Sequence, residues 1–92
     1  MTDPVARRIQ IYGRVQGVFF RQWAVHKARE MAVTGWVRNL PSGSVEAYVA
    51  GEEQSVSAMV ECLRQGPDGA RVEACTVEEA LHEENDGFSV RI

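Results

Sequence analysis

The 92-residue chain has few of the side-chain groupings that drive covalent chemistry. Its two cysteines, Cys62 and Cys75, form no Cys-x-x-Cys pair, so two reduced thiols, buried or half-buried, are expected in place of a redox motif. The two histidines, His26 and His82, stand apart from any cluster of His, Cys, Asp or Glu at ligand spacing, and no metal is expected. No serine or cysteine is set with a histidine, and no carboxylate pair is set for acid–base work. A covalent nucleophile with its own base is therefore not on offer. The lysine followed by Ser or Thr that closes a nucleoside-triphosphate loop is missing too. No run of about twenty apolar residues exists, so a transmembrane helix is not expected. Met1-Thr2-Asp3-Pro4 lacks the basic and apolar regions of a signal peptide. These absences point to a cytoplasmic protein with no cofactor. The length suits one domain over residues 1–92, with one core of modest size.

Charge is present but uneven. Residues 1–45 carry seven bases against two acids, a balance of +5, and residues 46–92 carry three against eleven, a balance of −8. The total is the −3 of the whole chain. A small anion would be steered to the positive half. A long nucleic acid would meet the acidic half as well, which argues against that partner.

The positive half holds Gly13-Arg14-Val15-Gln16-Gly17-Val18-Phe19-Phe20-Arg21. An alternating run, Ile9-Gln10-Ile11-Tyr12, precedes it, and a helical pattern starts near Arg21. A glycine-punctuated loop between a strand and a helix start presents backbone N–H groups to one side, and the first helical turn adds its unpaired N–H groups. Gly13 and Gly17 allow backbone angles that a side chain forbids. Arg21 adds a planar fork suited to phosphate or carboxylate. On placement alone Arg21 also reads as a solvated arginine at a helix start. Because positive charge there is mildly unfavourable, an intervening anion makes better sense of it.

Along the chain, residues 5–14 alternate as a strand. From Arg21 to about Val33 the pattern is helical, with Phe20, Ala24, Ala28 and Met31 on one face and Trp23 beside it. Gly35 is expected as a left-handed helix cap, followed by a short strand over 36–40. Pro41-Ser42-Gly43-Ser44 is a turn by composition. Val45, Ala47 and Val49 alternate as the second strand of a hairpin, which Gly51 breaks. Val56, Met59, Val60 and Leu63 form the clearest amphipathic stripe, in a helix opened by Glu52 and Glu53 and stopped by Gly66-Pro67-Asp68-Gly69. Residues 70–80 read as a strand with a bulge or edge near Val77. Phe88, Val90 and Ile92 alternate as a short last strand.

This order is the split βαβ arrangement: an α+β, ferredoxin-like βαββαβ sandwich with a mainly antiparallel sheet, two helices on one face and a short C-terminal strand. Its other face is expected to meet water or a partner.

The loop Gly13–Arg21 resembles the phosphate-binding loop of the acylphosphatases. So does the later Gly35-Trp36-Val37-Arg38-Asn39, followed by a turn and Val45-Glu46-Ala47-Tyr48-Val49-Ala50-Gly51. The resemblance runs over nearly the whole chain and implies the same sandwich. It implies hydrolysis of acyl phosphates, with Arg21 binding phosphate, Asn39 orienting the attacking water, and no covalent phosphoenzyme. It places Val15, Gln16, Gly17, Val18, Phe19 and Phe20 with Arg21 in the substrate-binding loop, occupied by inorganic phosphate or a similar anion. The chain departs from the family pattern at Leu40, where a small hydroxyl residue is common, and at Ser42, where an aspartate commonly precedes the glycine.

The missing acid–base groups fit this chemistry. The leaving carboxylate is a weak base and needs no general acid. The phosphoryl group spreads charge over three oxygens in a loose transition state, which the loop N–H groups and Arg21 would stabilise. Asn39 alone reads as a turn residue before Pro41; beside the loop, its amide suits a water held in line. By residue type, Gln16 has no chemical role of its own, and Trp36 reads as structural.

Two other functions compete. One is a non-catalytic phosphate-binding module of the same fold, a domain type also found inside larger proteins. Against it, a chain ending at Ile92 suits a free-standing, monomeric enzyme with a small-molecule substrate and no membrane partner. The other is RNA binding by Tyr12 and Tyr48 on the open sheet face. The negative charge and the missing basic–aromatic signature disfavour it, and two half-exposed sheet tyrosines are the simpler expectation.

Overall fold

The computed structural model describes residues 3–92. Met1 and Thr2, the first half of the Met1–Pro4 stretch expected not to be a leader, lie outside the described residues. The elements are β1 (Val5–Arg14), α1 (Phe20–Glu30), β2 (Thr34–Asn39), β3 (Val45–Gly51), α2 (Glu53–Gln65), β4 (Arg71–Glu79) and β5 (Phe88–Val90). They form one five-stranded sheet in the order β4-β1-β3-β2-β5, antiparallel except for the β2–β5 pair. This is the ferredoxin-like sandwich, with β5 lying parallel beside β2 as a fifth strand. No described helix is long and apolar enough to cross a membrane.

Both helices pack on one sheet face. Val56, Met59, Val60 and Leu63 are buried there by α2 as the stripe predicts, and Phe20, Ala24 and Ala28 by α1. They meet Ile9, Ile11, Val45, Ala47 and Val49 from the central strands. Each fully buried aliphatic side chain contributes roughly 1.5–3 kcal/mol relative to exposure, so this layer is the main source of stability.

The other sheet face is not open at β3. Tyr48 is fully buried. Its ring stacks on Trp36, with centroids 6.0 Å apart. Its hydroxyl donates to the Leu81 carbonyl at 2.9 Å and accepts the Glu83 N–H at 2.6 Å. The segment between β4 and β5 therefore crosses this face and covers Tyr48, correcting the expectation of two half-exposed sheet tyrosines. Only Tyr12 remains exposed. β3 is thus buried on both faces, and Trp36 is structural, as expected.

Three local expectations also change. α1 ends at Glu30, not Val33, and its left-handed cap is Ala32 (φ 58°), not Gly35. The Ala32 N–H bonds to the Arg29 carbonyl and the Val33 N–H to the Ala28 carbonyl, the paired bonds of a Schellman ending. Gly35 lies inside β2 at φ 139°, where a Cβ would fall 1.8 Å from the Tyr48 carbonyl oxygen. Its glycine is required by close approach of the neighbouring strand, not by a cap. The irregularity in β4 lies opposite Tyr12 and Gly13, between Val72 and Ala74, not at Val77. β4 is an edge strand, as expected. Cys62 and Cys75 are both free and half-buried.

Candidate active site

The loop between β1 and α1 is anchored at both ends by apolar side chains. Val15 and Phe20 are buried in the core, with 1% and 2% of their surface exposed. Val18 also packs against that core. With these three turned inward, the chain between them bows outward. Gly17 supplies the required positive φ of 74°, and Phe19 also lies in the left-handed region (φ 60°, ψ 26°). For a bulky residue this conformation costs on the order of 1–3 kcal/mol, so it persists only because the surrounding structure enforces it.

The loop leaves its N–H groups free. Among the described residues, the first backbone hydrogen bond of α1 is the Trp23 N–H to the Phe19 carbonyl, at 3.1 Å. Among the described residues, no backbone N–H from Gln16 to Gln22 donates to a backbone carbonyl. No side chain caps the helix start, and no acid stands in its first turn. Arg21 stands there instead, half-buried, with no carboxylate within ion-pair distance among the described residues. Unpaired donors, the positive end of the helix and an unpaired guanidinium therefore converge on one place.

A cavity of about 240 Å³ opens at this place. Val15, Gln16, Gly17, Phe19, Phe20, Arg21, Gln22 and Asn39 line it. Asn39 comes from the end of β2, on the far side of β3 from β1, yet it faces the same cavity as Arg21. Its Oδ1 is buried without a hydrogen-bond partner among the described residues, an arrangement that costs about 1–3 kcal/mol unless something fills the need. No serine, cysteine, histidine or carboxylate lines the cavity, so it offers no protein nucleophile and no conventional acid–base pair.

Gln16 has a role that its residue type did not reveal. Its Nε2 donates to the Leu40 carbonyl at 2.8 Å and to the Ser44 carbonyl at 2.9 Å. Those two residues flank the turn between β2 and β3, and Leu40 follows Asn39. The Gln16 amide thus ties the loop to the hairpin that carries Asn39. Ser44 is buried and bonded through its hydroxyl to Gln10 of β1 and to Ser42, which braces the same turn against the first strand. Leu40 enters this network through its carbonyl and its N–H, so its departure from a small hydroxyl residue leaves these bonds intact. Of the expected loop residues, Val18 alone does not line the cavity; Gln22, not anticipated, does.

The comparisons with known proteins agree with this picture. The family model described as Acylphosphatase matches residues 7–90. An acylphosphatase of Anaeromyxobacter dehalogenans is 53% identical over 78 residues, covering 85% of this chain and 84% of that protein. The solved acylphosphatase of Coxiella burnetii superimposes with a TM-score of 0.92 at 39% identity, covering 97% of this chain and 94% of that one. That of Bacillus subtilis gives 0.92 at 32% identity, with 96% and 99% covered.

Proposed function

The chain belongs to the acylphosphatase family, and we propose that it splits the carboxyl–phosphate anhydride bond of acyl phosphates by direct in-line attack of water. The phosphoryl group sits in the loop, its oxygens taking N–H bonds from the turn and a bidentate pair from Arg21. Asn39 Oδ1 accepts a hydrogen bond from the attacking water and so fixes its direction. As the water oxygen bonds to phosphorus, the phosphorus–oxygen bond to the acyl group breaks and its electron pair leaves on the carboxylate. The water's proton passes to a phosphate oxygen, so no side-chain base is needed. No phosphoenzyme forms.

One observation carries this reading: the buried, unpartnered Asn39 Oδ1 lines the same cavity as the unpaired Arg21. An orphan acceptor sharing a cavity with a phosphate-suited fork supports a site for a water and an anion together. A site for an anion alone has no use for it.

The protein is read as a monomer acting on a small molecule in the cytoplasm, where a reducing environment suits two unpaired thiols. The test is hydrolysis of benzoyl phosphate by the purified chain beside Arg21→Gln. Turnover that disappears in the variant is expected. A well-folded wild-type chain without turnover would overturn the reading and leave phosphate binding as the function of the loop.

A further inference from the structure

We propose that Phe19 is the acyl-group contact of this site and gives it a preference for acyl phosphates with an aromatic or bulky apolar acyl group. The proposal rests on the acyl phosphate reading above.

Phe19 is held in the left-handed region, which glycine or asparagine adopts far more readily. The loop needs that conformation to aim its N–H groups, but it has no need of a phenyl ring to reach it. Phe19 is 79% exposed and among the described residues stacks on no other aromatic ring, whereas Phe20 next to it is buried and packs edge-on against Trp23. Six large hydrophobic side chains are exposed among the described residues, and of these only Phe19 lines the cavity. The other apolar residues of the lining, Val15 and Phe20, are committed to the core.

The chemistry assigns this ring a place. The loop N–H groups and Arg21 take the phosphoryl oxygens, and Asn39 takes the water. In-line displacement puts the leaving carboxylate opposite that water, so the acyl group must project from the loop into the open mouth of the cavity. Phe19 is the exposed apolar side chain that this cavity offers it. An aromatic acyl group can stack on the ring, while an acetyl group is too small to cover it. The contact acts on the non-reacting part of the substrate, so it should appear in binding more than in the chemical step.

The test uses Phe19→Asn, which tolerates the left-handed backbone and removes the ring, and Phe19→Tyr, which keeps the ring. Dissociation constants are measured for two non-hydrolysable probes, benzylphosphonate and methylphosphonate, together with kcat/KM for benzoyl phosphate and acetyl phosphate. In Phe19→Asn, benzylphosphonate binding and the benzoyl phosphate kcat/KM are expected to weaken by about five- to tenfold, a typical size for one lost aromatic contact. Methylphosphonate and acetyl phosphate should lose less, so that the benzyl-to-methyl and benzoyl-to-acetyl ratios both fall, and Phe19→Tyr should retain the wild-type ratios. An equal loss for both members of each pair, or no loss for either, would overturn the proposal, because disturbed loop geometry cannot distinguish the acyl groups. If the wild type hydrolysed neither substrate, the hydrolase reading would fail, and the two phosphonate constants would still decide the role of Phe19.

Discussion

α2 starts from Glu52 in extended conformation and places the carboxylate of Glu53 in its first turn, whereas α1 starts from a left-handed Phe19 and places the guanidinium of Arg21 there. Both helices begin with unpaired N–H groups and the positive end of a dipole. Neither helix start has a side-chain cap hydrogen bond, but α2 answers the dipole with its own acid, whereas α1 adds a further positive charge. An acid in the first turn is worth about 0.3–1 kcal/mol and a base costs a similar amount. The contrast separates a helix start balanced by its own acid from one left positively charged, and it is at the second that we place the phosphate.

Four substitutions break or sharpen that contrast at α1. The largest effect is expected from Arg21→Lys, where an ammonium replaces the planar fork. kcat/KM for benzoyl phosphate should fall on the order of a thousandfold, as when a transition-state arginine is lost, and a near-normal rate would remove Arg21 from the chemistry. Asn39→Ala should lower kcat by about a hundredfold through loss of water positioning. Inhibition by inorganic phosphate should stay within about twofold in that variant; weakened inhibition would make Asn39 a phosphate ligand instead.

Gln16→Ala cuts the tie between loop and hairpin. Two hydrogen bonds at about 0.5–1.5 kcal/mol each put the stability loss near 1–3 kcal/mol by denaturant titration. On the role proposed for Asn39, kcat should fall more than phosphate affinity, and the loss should nearly vanish when Asn39 is already alanine. Full additivity of the two substitutions would show that the tie does not position Asn39.

Gln22→Glu makes α1 resemble α2 by supplying the missing first-turn acid. Thermal stability should rise by about 0.3–1 kcal/mol while phosphate binding weakens. A variant with unchanged phosphate affinity would mean that the anion does not sit at this helix start.

The smallest effect concerns Cys75, well away from the loop. Burial pushes its thiol above the ordinary range, partly offset by the Arg64 charge. The folded state therefore holds the proton more tightly than the unfolded one, and stability present below the ordinary thiol pKa should decline as pH rises through it towards the folded value. Denaturant melts of wild type and Cys75→Ala across that alkaline window should diverge only there, and parallel curves would count against the shift.

Much of the fold was legible because its signals are local. The α2 stripe repeats at helical spacing, and Val56, Met59, Val60 and Leu63 are all buried as read. The loop was legible for the same reason, since Gly17 and Arg21 lie within one strand–helix junction. What sequence did not reveal depends on distant partners. Gln16 bonds to carbonyls 24 and 28 residues away, and no feature of a glutamine announces that. Tyr48 looked like a half-exposed strand residue until the Leu81–Glu83 segment closed over it. The cap at Ala32 was missed because glycine is the usual signal for that conformation and one stood three residues later.

The central position of β3 has a consequence for the order in which the chain is made. β3 pairs with β1 on one side and with β2 on the other, so it sets the distance between the loop after β1 and Asn39 at the end of β2. Those three strands and α1 all lie within residues 5–51. A nascent chain therefore contains the loop, Asn39 and the ruler between them before β4 has been synthesised. The outer edge of β1 pairs only with β4. Until β4 arrives, β1 presents a row of unpaired N–H and C=O groups, so the stage at which the site can first assemble is also the stage at which the chain is most open to pairing with another copy.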